Sequence, residues 1–366
     1  MTQHFLPKQQ LQLLIDCLRA EGYGVIGPKV KDDAIVFEEL ADATELPYGI
    51  EEDSAPGRYQ LKKARHKRAF AFNTGPQGLK PFLFAPEQEL WRAEHTDDGL
   101  IFRQSFPAIR PLAFIGLRAC DLAALALQDK HFAEGPYPDP SYQAKRQQLF
   151  IVAVNCSRSA STCFCVSTGD GPSAESGFDL CLDELDRGYL INVGSDKGQR
   201  IADKLGLEAA SGAKRAVATR QHQRAVQQQE RQMPDEKTLM TLVDKLDDQR
   251  WQDIAERCLA CGNCTSVCPT CFCSKQESHS DIKGQASSQV RLWDSCFSEQ
   301  HSYIVGKVIR NEISQRYRQW VLHKLANWQL QYGRSGCVGC GRCIAWCPVA
   351  IDLVEEARAL CLGDKP

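Results

Sequence analysis

The sequence predicts an α+β protein of several domains, in which an N-terminal α/β domain precedes a mostly helical, cysteine-rich domain. Two observations lead to this prediction. Strand-like apolar runs alternate with helical patterns in the first 200 residues, which favours a sheet with parallel strands. After residue 257, cysteines return at short and regular spacing. A chain of 366 residues can bury more than one core, so we expect domains at residues 1–200 and 251–366, with a helical connector at 201–250.

The first elements of the α/β domain are a helix and a strand. Apolar residues recur at helical spacing in residues 8–20, and a strand-like stretch follows at 33–40. Between them, Gly22, Gly24 and Gly27 spell G-x-G-x-x-G. A dinucleotide-binding loop must follow a strand and open a helix, whereas this motif follows a helix. We therefore predict a turn at these glycines and no nucleotide site.

A strand, a helix and a second strand are predicted in the next part of the domain. Residues 111–117 and 149–154 are continuous apolar runs of the buried-strand type, and residues 122–132 form a helical pattern that Asp121 can cap. Such a unit places the carboxyl ends of both strands at one edge of a parallel sheet. Other short strands are predicted at 69–73, 81–84 and 188–193.

Four cysteines converge on that predicted edge. Cys120 and Cys156 lie just past the two strands, and Cys163 and Cys165 follow in the next loop. Four thiols in one place can hold an iron–sulfur cluster or a zinc ion, or they can be small buried side chains without a metal. The spacing alone does not distinguish these alternatives, so all three stay open.

The strongest signal in the chain is the pattern C-x2-C-x2-C-x3-C-P, which occurs twice in the C-terminal domain. It matches the bacterial ferredoxin run, in which three closely spaced thiolates bind one [4Fe-4S] cube and the fourth cysteine binds the other cube. Zinc sites and disulfide frameworks fit this pattern poorly. We therefore predict a two-cluster ferredoxin-like domain with a crossed ligand assignment. One cluster is assigned to Cys258, Cys261, Cys264 and Cys347, and the other to Cys268, Cys337, Cys340 and Cys343.

The segment between the two cysteine runs is longer than in a minimal bacterial ferredoxin, and a helical stretch is predicted from about 301 to 330. Arg257 and Arg342 abut the runs. Each would favour the reduced, more negative cluster if it faces the cube, and would be an ordinary surface charge if it points away. Three further thiols have no obvious fourth ligand, and their role stays open: Cys271, Cys273 and Cys296.

Composition narrows the class of protein. A net charge of -2 argues against a nucleic-acid-binding surface, which needs an excess of basic residues. No apolar run reaches the length of a membrane span, and the N-terminus lacks the features of a signal peptide. Eighteen cysteines in such a chain point to metal binding in a reducing cytoplasm and not to disulfides.

The cysteine motifs resemble those of a known family, the beta subunits of cytoplasmic NiFe sulfhydrogenases, and of its relative, the iron–sulfur electron-transfer component of anaerobic sulfite reductase. The likeness covers most of the chain from about residue 110 onward, while the first hundred residues match less distinctively. The motifs that carry it are Arg-Ala-Cys-Asp-Leu at 118–122, Cys-Phe-Cys at 163–165, Cys-Leu-Ala-Cys-Gly-Asn-Cys at 258–264, Cys-Pro-Thr-Cys-Phe-Cys at 268–273, Arg-Leu-Trp-Asp-Ser-Cys at 291–296 and Cys-Val-Gly-Cys-Gly-Arg-Cys at 337–343.

This resemblance implies an electron conduit. In that family, electrons pass between a flavin-bearing NAD(P)-binding partner and a catalytic subunit that carries a nickel–iron site or a sirohaem. The resemblance implies two [4Fe-4S] clusters on the eight C-terminal cysteines. It also favours a third cluster at the four upstream cysteines. Because both relatives share the motifs, a hydrogenase and a sulfite reductase stay open as the catalytic partner, and we expect the hydrogenase.

A different class of function is a sulfur reductase in its own right, with an open coordination position at the four upstream cysteines. The sequence contains no flavin or nicotinamide signature and no activated nucleophile. We therefore expect a non-catalytic electron-transfer subunit, with the chemistry at each end carried out by its partners.

Overall fold

The computed structural model describes residues 3–363, and within that range helices and strands are both abundant, so the predicted α+β class is confirmed. The strands are β1 (His4–Pro7), β2 (Gly24–Lys31), β3 (Ala34–Glu39), β4 (Ile50–Ala55), β5 (Arg58–Lys63), β6 (Glu87–Thr96), β7 (Gly99–Gln104), β8 (Leu112–Leu117), β9 (Leu149–Val154), β10 (Leu180–Leu185), β11 (Gly188–Val193), β12 (Glu208–Ala209), β13 (Ser274–Ser280), β14 (Ala286–Trp293), β15 (Tyr303–Ile304) and β16 (Lys307–Val308).

Helices occur before, within, between and after the two cysteine runs. The segment between α10 and α11 continues the helix as a π-helix, Leu322–Asn327. None of the helices described in residues 3–363 has the length and apolar character that a membrane crossing requires. The α-helices are α1 (Leu11–Ala20), α2 (Lys80–Leu83), α3 (Ala119–Phe132), α4 (Pro140–Gln147), α5 (Asp196–Lys204), α6 (Gly212–Gln227), α7 (Glu236–Met240), α8 (Arg250–Arg257), α9 (Asn263–Ser266), α10 (Ile313–Val321), α11 (Trp328–Tyr332), α12 (Arg342–Ala345) and α13 (Leu353–Leu362).

The N-terminal half is organised around an eight-stranded mixed sheet with the order β12-β1-β11-β10-β9-β8-β2-β3. The four neighbours β10, β9, β8 and β2 pair in parallel, and the flanking pairs are antiparallel. Every residue of β9 and β10 is buried, as expected for central strands that are covered on both faces. Because β8 and β9 are adjacent and parallel, the residues that follow them meet at one edge of the sheet.

The helix and strands predicted in this half lie close to their predicted positions. Helix α1 buries Leu11, Leu14, Ile15 and Leu18 in the core beside the sheet, as its apolar spacing indicated. The strands predicted at 33–40, 111–117, 149–154 and 188–193 correspond to β3, β8, β9 and β11.

The strand predicted at 81–84 and the turn predicted at Gly24 and Gly27 are wrong. Residues 81–84 belong mostly to helix α2 and not to a strand, because Pro81 occupies the first turn of a helix, where a missing amide hydrogen is tolerated. Gly24 and Gly27 lie inside β2 and not in a turn. A Cβ atom on Gly27 would lie 2.5 Å from Leu40 Cδ1, so this glycine leaves room for a buried leucine.

A second sheet connects distant parts of the chain. Its strand order is β13-β14-β6-β7, so a hairpin from the segment between the two cysteine runs extends a hairpin from residues 87–104. The sequence did not indicate β13, because Ser-Lys-Gln-Glu-Ser-His-Ser is polar throughout and mostly exposed, without the alternation of a half-buried strand.

Arg118 fixes the loop that precedes the first cysteine of the upstream set. Its side chain is 1% exposed and donates hydrogen bonds to four main-chain carbonyls. The acceptors belong to Asn73 at 3.1 Å, Val154 at 3.1 Å, Phe70 at 2.9 Å and Phe72. The strand predicted at residues 69–73 is not formed; this segment has no strand pairing, and its carbonyls at Phe70, Phe72 and Asn73 accept from the Arg118 guanidinium.

We predict that Arg118→Met destabilises the fold by about 3 kcal/mol or more, because it leaves buried carbonyls without a donor. Chemical unfolding followed by far-ultraviolet circular dichroism measures this difference, with Arg103→Met on the exposed strand β7 as the control. Equal unfolding midpoints for the two variants would contradict the prediction.

Candidate metal centres

The four cysteines of the first set line one pocket, and Cys343 of the second set lines it too. Cys258 follows α8, Cys264 lies in α9, and Cys347 comes just after α12. Gly262 has a φ of +71°, which lets the chain turn between Cys261 and Cys264. Burial raises the pKa of the Cys264 thiol, and the nearby thiols of Cys258, Cys347 and Cys261 raise it further. The four side chains of this predicted set therefore lie together.

The second set is buried more deeply. Burial raises the pKa of Cys337 to about 12, and Cys340 and Cys268 are among its neighbours. Cys343 lies near Cys268, Cys337 and Cys340 of its own set. It also lines the pocket of the first set together with Cys264. Thus the crossed arrangement predicted from the sequence brings four thiols together on each side, and the two sets adjoin each other.

The upstream cysteines form a third set of thiols. Cys120, Cys156, Cys163 and Cys165 are each 6–7% exposed. Burial raises the pKa of Cys163, and Cys165 and Cys156 raise it further. Cys120 adjoins Cys165 and also Cys340, so the upstream set lies against the second set.

The upstream loop and the second cysteine run are in direct main-chain contact. The amide of Phe164 donates to the carbonyl of Gly339 at 2.9 Å. A Cβ atom on Gly339 would lie 2.5 Å from the Cα of Cys165, and one on Gly341 would lie 2.3 Å from the carbonyl oxygen of Thr162. Both glycines have positive φ, so this close approach excludes any larger residue at either position.

Lys324 is a buried cation among these thiols. It lies in the π-helical segment and is 4% exposed. Its ammonium donates to Cys268 Sγ at 3.4 Å and to Thr270 Oγ1 at 2.8 Å. Burial opposes its charge, yet Cys268, Cys271 and Cys337 hold its pKa well above the usual value. No sequence motif marks this residue, because its partners come from a distant part of the chain.

The two arginines beside the runs have different environments. Arg342 is 1% exposed and its guanidinium binds Asp121 at 2.7 Å. Arg342 also donates to the thiol of Cys340. Arg257 instead pairs with Glu356 and is 46% exposed. Hence Arg342 is a buried charge next to the second set, whereas Arg257 is a surface ion pair.

Asp121 therefore has a larger role than the predicted helix cap. Helix α3 begins at Ala119, and the Asp121 carboxylate accepts the amide hydrogen of Arg118 at 3.1 Å in addition to the guanidinium of Arg342. One carboxylate thus connects the start of α3 with the start of α12.

The donor sets suit iron–sulfur clusters. Main-chain amides of Ala260 and Ile351 lie 3.4 and 3.3 Å from the sulfurs of Cys258 and Cys347, and such hydrogen bonds stabilise thiolate sulfur. Within residues 3–363, no three His, Cys, Asp or Glu side chains converge closely enough to hold a single metal ion. A cube is bound at separate corners, so its thiolates do not need to meet at one point.

Paired four-cysteine sets on a mainly helical scaffold define the class of dicluster iron–sulfur proteins. The family described as 4Fe-4S dicluster domain matches residues 257–351. The chain is also 34% identical over 254 residues to the beta subunit of sulfhydrogenase 2 from Pyrococcus furiosus, over 66% of this chain and 71% of that protein. The chain belongs to the family of sulfhydrogenase beta subunits. No solved structure matches it.

These comparisons confirm the predicted resemblance, the two [4Fe-4S] clusters and a role in iron–sulfur electron transfer. The structure adds contacts that the sequence did not reveal. Besides Lys324 and the Asp121–Arg342 pair, the side chain of Gln229 donates to the sulfur of Cys165 at 3.3 Å. Gln229 belongs to the predicted connector, where a run of three glutamines offered no reason to single it out.

We predict that Lys324→Met lowers the reduction potential of one cluster by about 60 mV or more, because it removes a charge-assisted hydrogen bond to Cys268 that favours the more negative, reduced state. Potentiometric titration followed by electron paramagnetic resonance measures the shift. Lys324→Arg should keep most of the wild-type potential, and the exposed Lys283→Met is the surface control. An unchanged potential in Lys324→Met would contradict the prediction.

Proposed function

We propose that this chain is the electron-transfer subunit that connects a flavin-bearing, NAD(P)-binding partner with the catalytic subunit of a NiFe hydrogenase. The single observation that supports it best is the succession of neighbouring thiol sets, in which Cys264 and Cys343 line one pocket and Cys120 and Cys340 pack in one cluster. Each [4Fe-4S] cluster takes up and releases one electron when bound. The named relative is a sulfhydrogenase subunit, which favours a hydrogenase as the partner.

The proposed ligands follow the crossed assignment. Cys258, Cys261, Cys264 and Cys347 would hold the first cluster. The second cluster would be held by Cys268, Cys337, Cys340 and Cys343. A third cluster is proposed at Cys120, Cys156, Cys163 and Cys165, and its support is that all four thiols are buried together against the second set.

The surface near the first set is suited to a partner. The side chain of Cys261 is exposed, and the neighbouring Leu259 is 62% exposed. An apolar side chain beside an accessible ligand lets a partner dock closely without desolvating charge. The third set is buried and packs against the second set, so the row would run from an exposed thiol at the first set to buried thiols at the third.

We further propose a cytoplasmic location, since many unpaired cysteines need a reducing compartment. The domain limits at 1–200, 201–250 and 251–366 are also kept as a proposal, although β13 and β14 pair with β6 from the first of these ranges.

We expect NAD(P)H to bleach the visible absorption of the cluster-loaded chain only when the flavin subunit is present. Hydrogen should bleach this absorption only when the nickel–iron subunits are present. The measurement is anaerobic absorption spectroscopy of the chain alone and with each partner. Reduction by NAD(P)H without a partner would contradict the proposal.

Two other results would support one of the alternative functions, an anaerobic sulfite reductase component or an independent reductase. Co-purification with a sirohaem protein in place of the nickel–iron subunits would identify the electron-transfer component of an anaerobic sulfite reductase. Turnover of sulfite or polysulfide by the isolated chain with an artificial reductant would identify a reductase in its own right.

The third cluster has its own test. We expect Cys156→Ser/Cys163→Ser to lower iron and acid-labile sulfide by about four each per chain, because one cube is lost. Cys181→Ser is the matched control, since this buried thiol lies 3.4 Å from Asn155 Oδ1 near the site but outside the set. A folded double variant with the wild-type iron content would contradict the third cluster.

A further inference from the structure

Three cysteines belong to none of these sets, and the β13–β14 hairpin brings them together. Ser274 at the start of β13 pairs with Trp293 at the end of β14. Just beyond this pair, the amide of Asp294 donates to the carbonyl of Cys273 at 2.9 Å. This closure brings Cys296 near Cys273, and both residues line the same pocket.

Cys271 completes a group of three thiols. Together with Cys273 and Cys296 it lines one pocket. The rest of the wall is mainly aromatic, with Trp320 and Trp328 among its members. Lys324, which donates to Cys268 Sγ of the second set at 3.4 Å, lines the same pocket. Cys296 packs in the core against which Cys264 of the first set also packs. The group therefore lies between the two ferredoxin-type sets.

A histidine provides the fourth donor. His301 Nδ1 lies 2.8 Å from Asp294 Oδ2, and the amide of Asp294 donates to the Cys273 carbonyl, so the imidazole lies near Cys273. A carboxylate that holds one ring nitrogen is the usual partner of a metal-bound histidine, because it fixes the ring and leaves the other nitrogen free to bind. His323 lines the same cavity, but its Nε2 already accepts the indole hydrogen of Trp328 at 3.1 Å.

Two lysines supply positive charge around the group. Lys324 binds Cys268 and Thr270 on one side. Lys80 is 5% exposed on the other, where it donates to the carbonyls of Thr265 and Ser266 and lies 4.1 Å from the ring centroid of Trp293. Buried cations of this kind offset the negative charge that several thiolates and an iron–sulfur core bring into a low-dielectric site.

We propose that Cys271, Cys273, Cys296 and His301 bind a further iron–sulfur cluster between the two ferredoxin-type clusters. Thiolate and imidazole ligands both occur at iron–sulfur clusters, and the two buried lysines offset the negative charge that a cluster brings into the site. The shared Lys324 beside Cys268 and the packing of Cys296 in the core around Cys264 would make the new centre a neighbour of both clusters.

The inference goes beyond the proposed function and does not depend on the identity of any partner. Its test uses the full-length chain, prepared anaerobically. Cys273→Ser/Cys296→Ser should lose about four irons and four acid-labile sulfides if the centre is a cube. The control is Cys17→Ser/Cys361→Ser, which alters two thiols outside all the sets. A variant that folds and keeps the full iron content would overturn the proposal, as would stoichiometric zinc or a Cys273–Cys296 disulfide in the iron-loaded wild type.

Substitution of the histidine keeps the proposal testable if the double variant does not fold. His301→Cys should retain the iron but lower the potential of one cluster, because thiolate ligands give lower potentials than imidazole. Pulsed electron paramagnetic resonance of the reduced wild type should show a nitrogen coupling that His301→Cys loses and His323→Ala retains. A coupling that is absent from the wild type, or that disappears only in His323→Ala, would exclude His301 as the ligand.

Discussion

The structure depends on the direct contact between the second cysteine run and the upstream cysteine loop. Gly339 and Gly341 lie so close to Cys165 and Thr162 that a Cβ atom would overlap main-chain atoms. The contact is made by the backbone itself, so its geometry does not vary with side-chain rotamers. It therefore fixes the distance between two groups of thiols that come from opposite halves of the chain. For electron transfer, a fixed distance matters more than a large interface.

The second constraint is the charge of buried thiolates. A low-dielectric interior penalises them strongly unless cations or hydrogen-bond donors are close. The chain supplies Lys324 next to Cys268 and Arg342 next to Cys340. Asp121 in turn pairs with Arg342, so the positive charge is held in place by a carboxylate that also caps the N-terminus of helix α3. The residues that place positive charge near the thiols are thus the same ones that hold the start of helix α3 in position.

Much of this arrangement could be predicted from the sequence because its signals are local. The repeated spacing of the cysteines predicted the ferredoxin-type domain, and the two apolar runs predicted β8 and β9, which bring Cys120 and Cys156 to one edge. What could not be predicted depends on contacts between distant residues. The pairing of β13 and β14 with β6 involves polar, exposed strands, and it is this pairing that places Cys296 beside Cys273. Lys324 and Gln229 likewise have no local pattern, since each acts on a sulfur far away in the chain.

The exposure of Cys261 has a chemical consequence. Among the cysteines described in residues 3–363, it is the one that is exposed to solvent, whereas the others are buried or half-buried. Oxidants reach accessible sulfur first, so we expect air oxidation to attack Cys261 before the buried thiols. If a partner covers this face, as proposed above, it would also shield this sulfur. Assembly would then protect the subunit from oxygen.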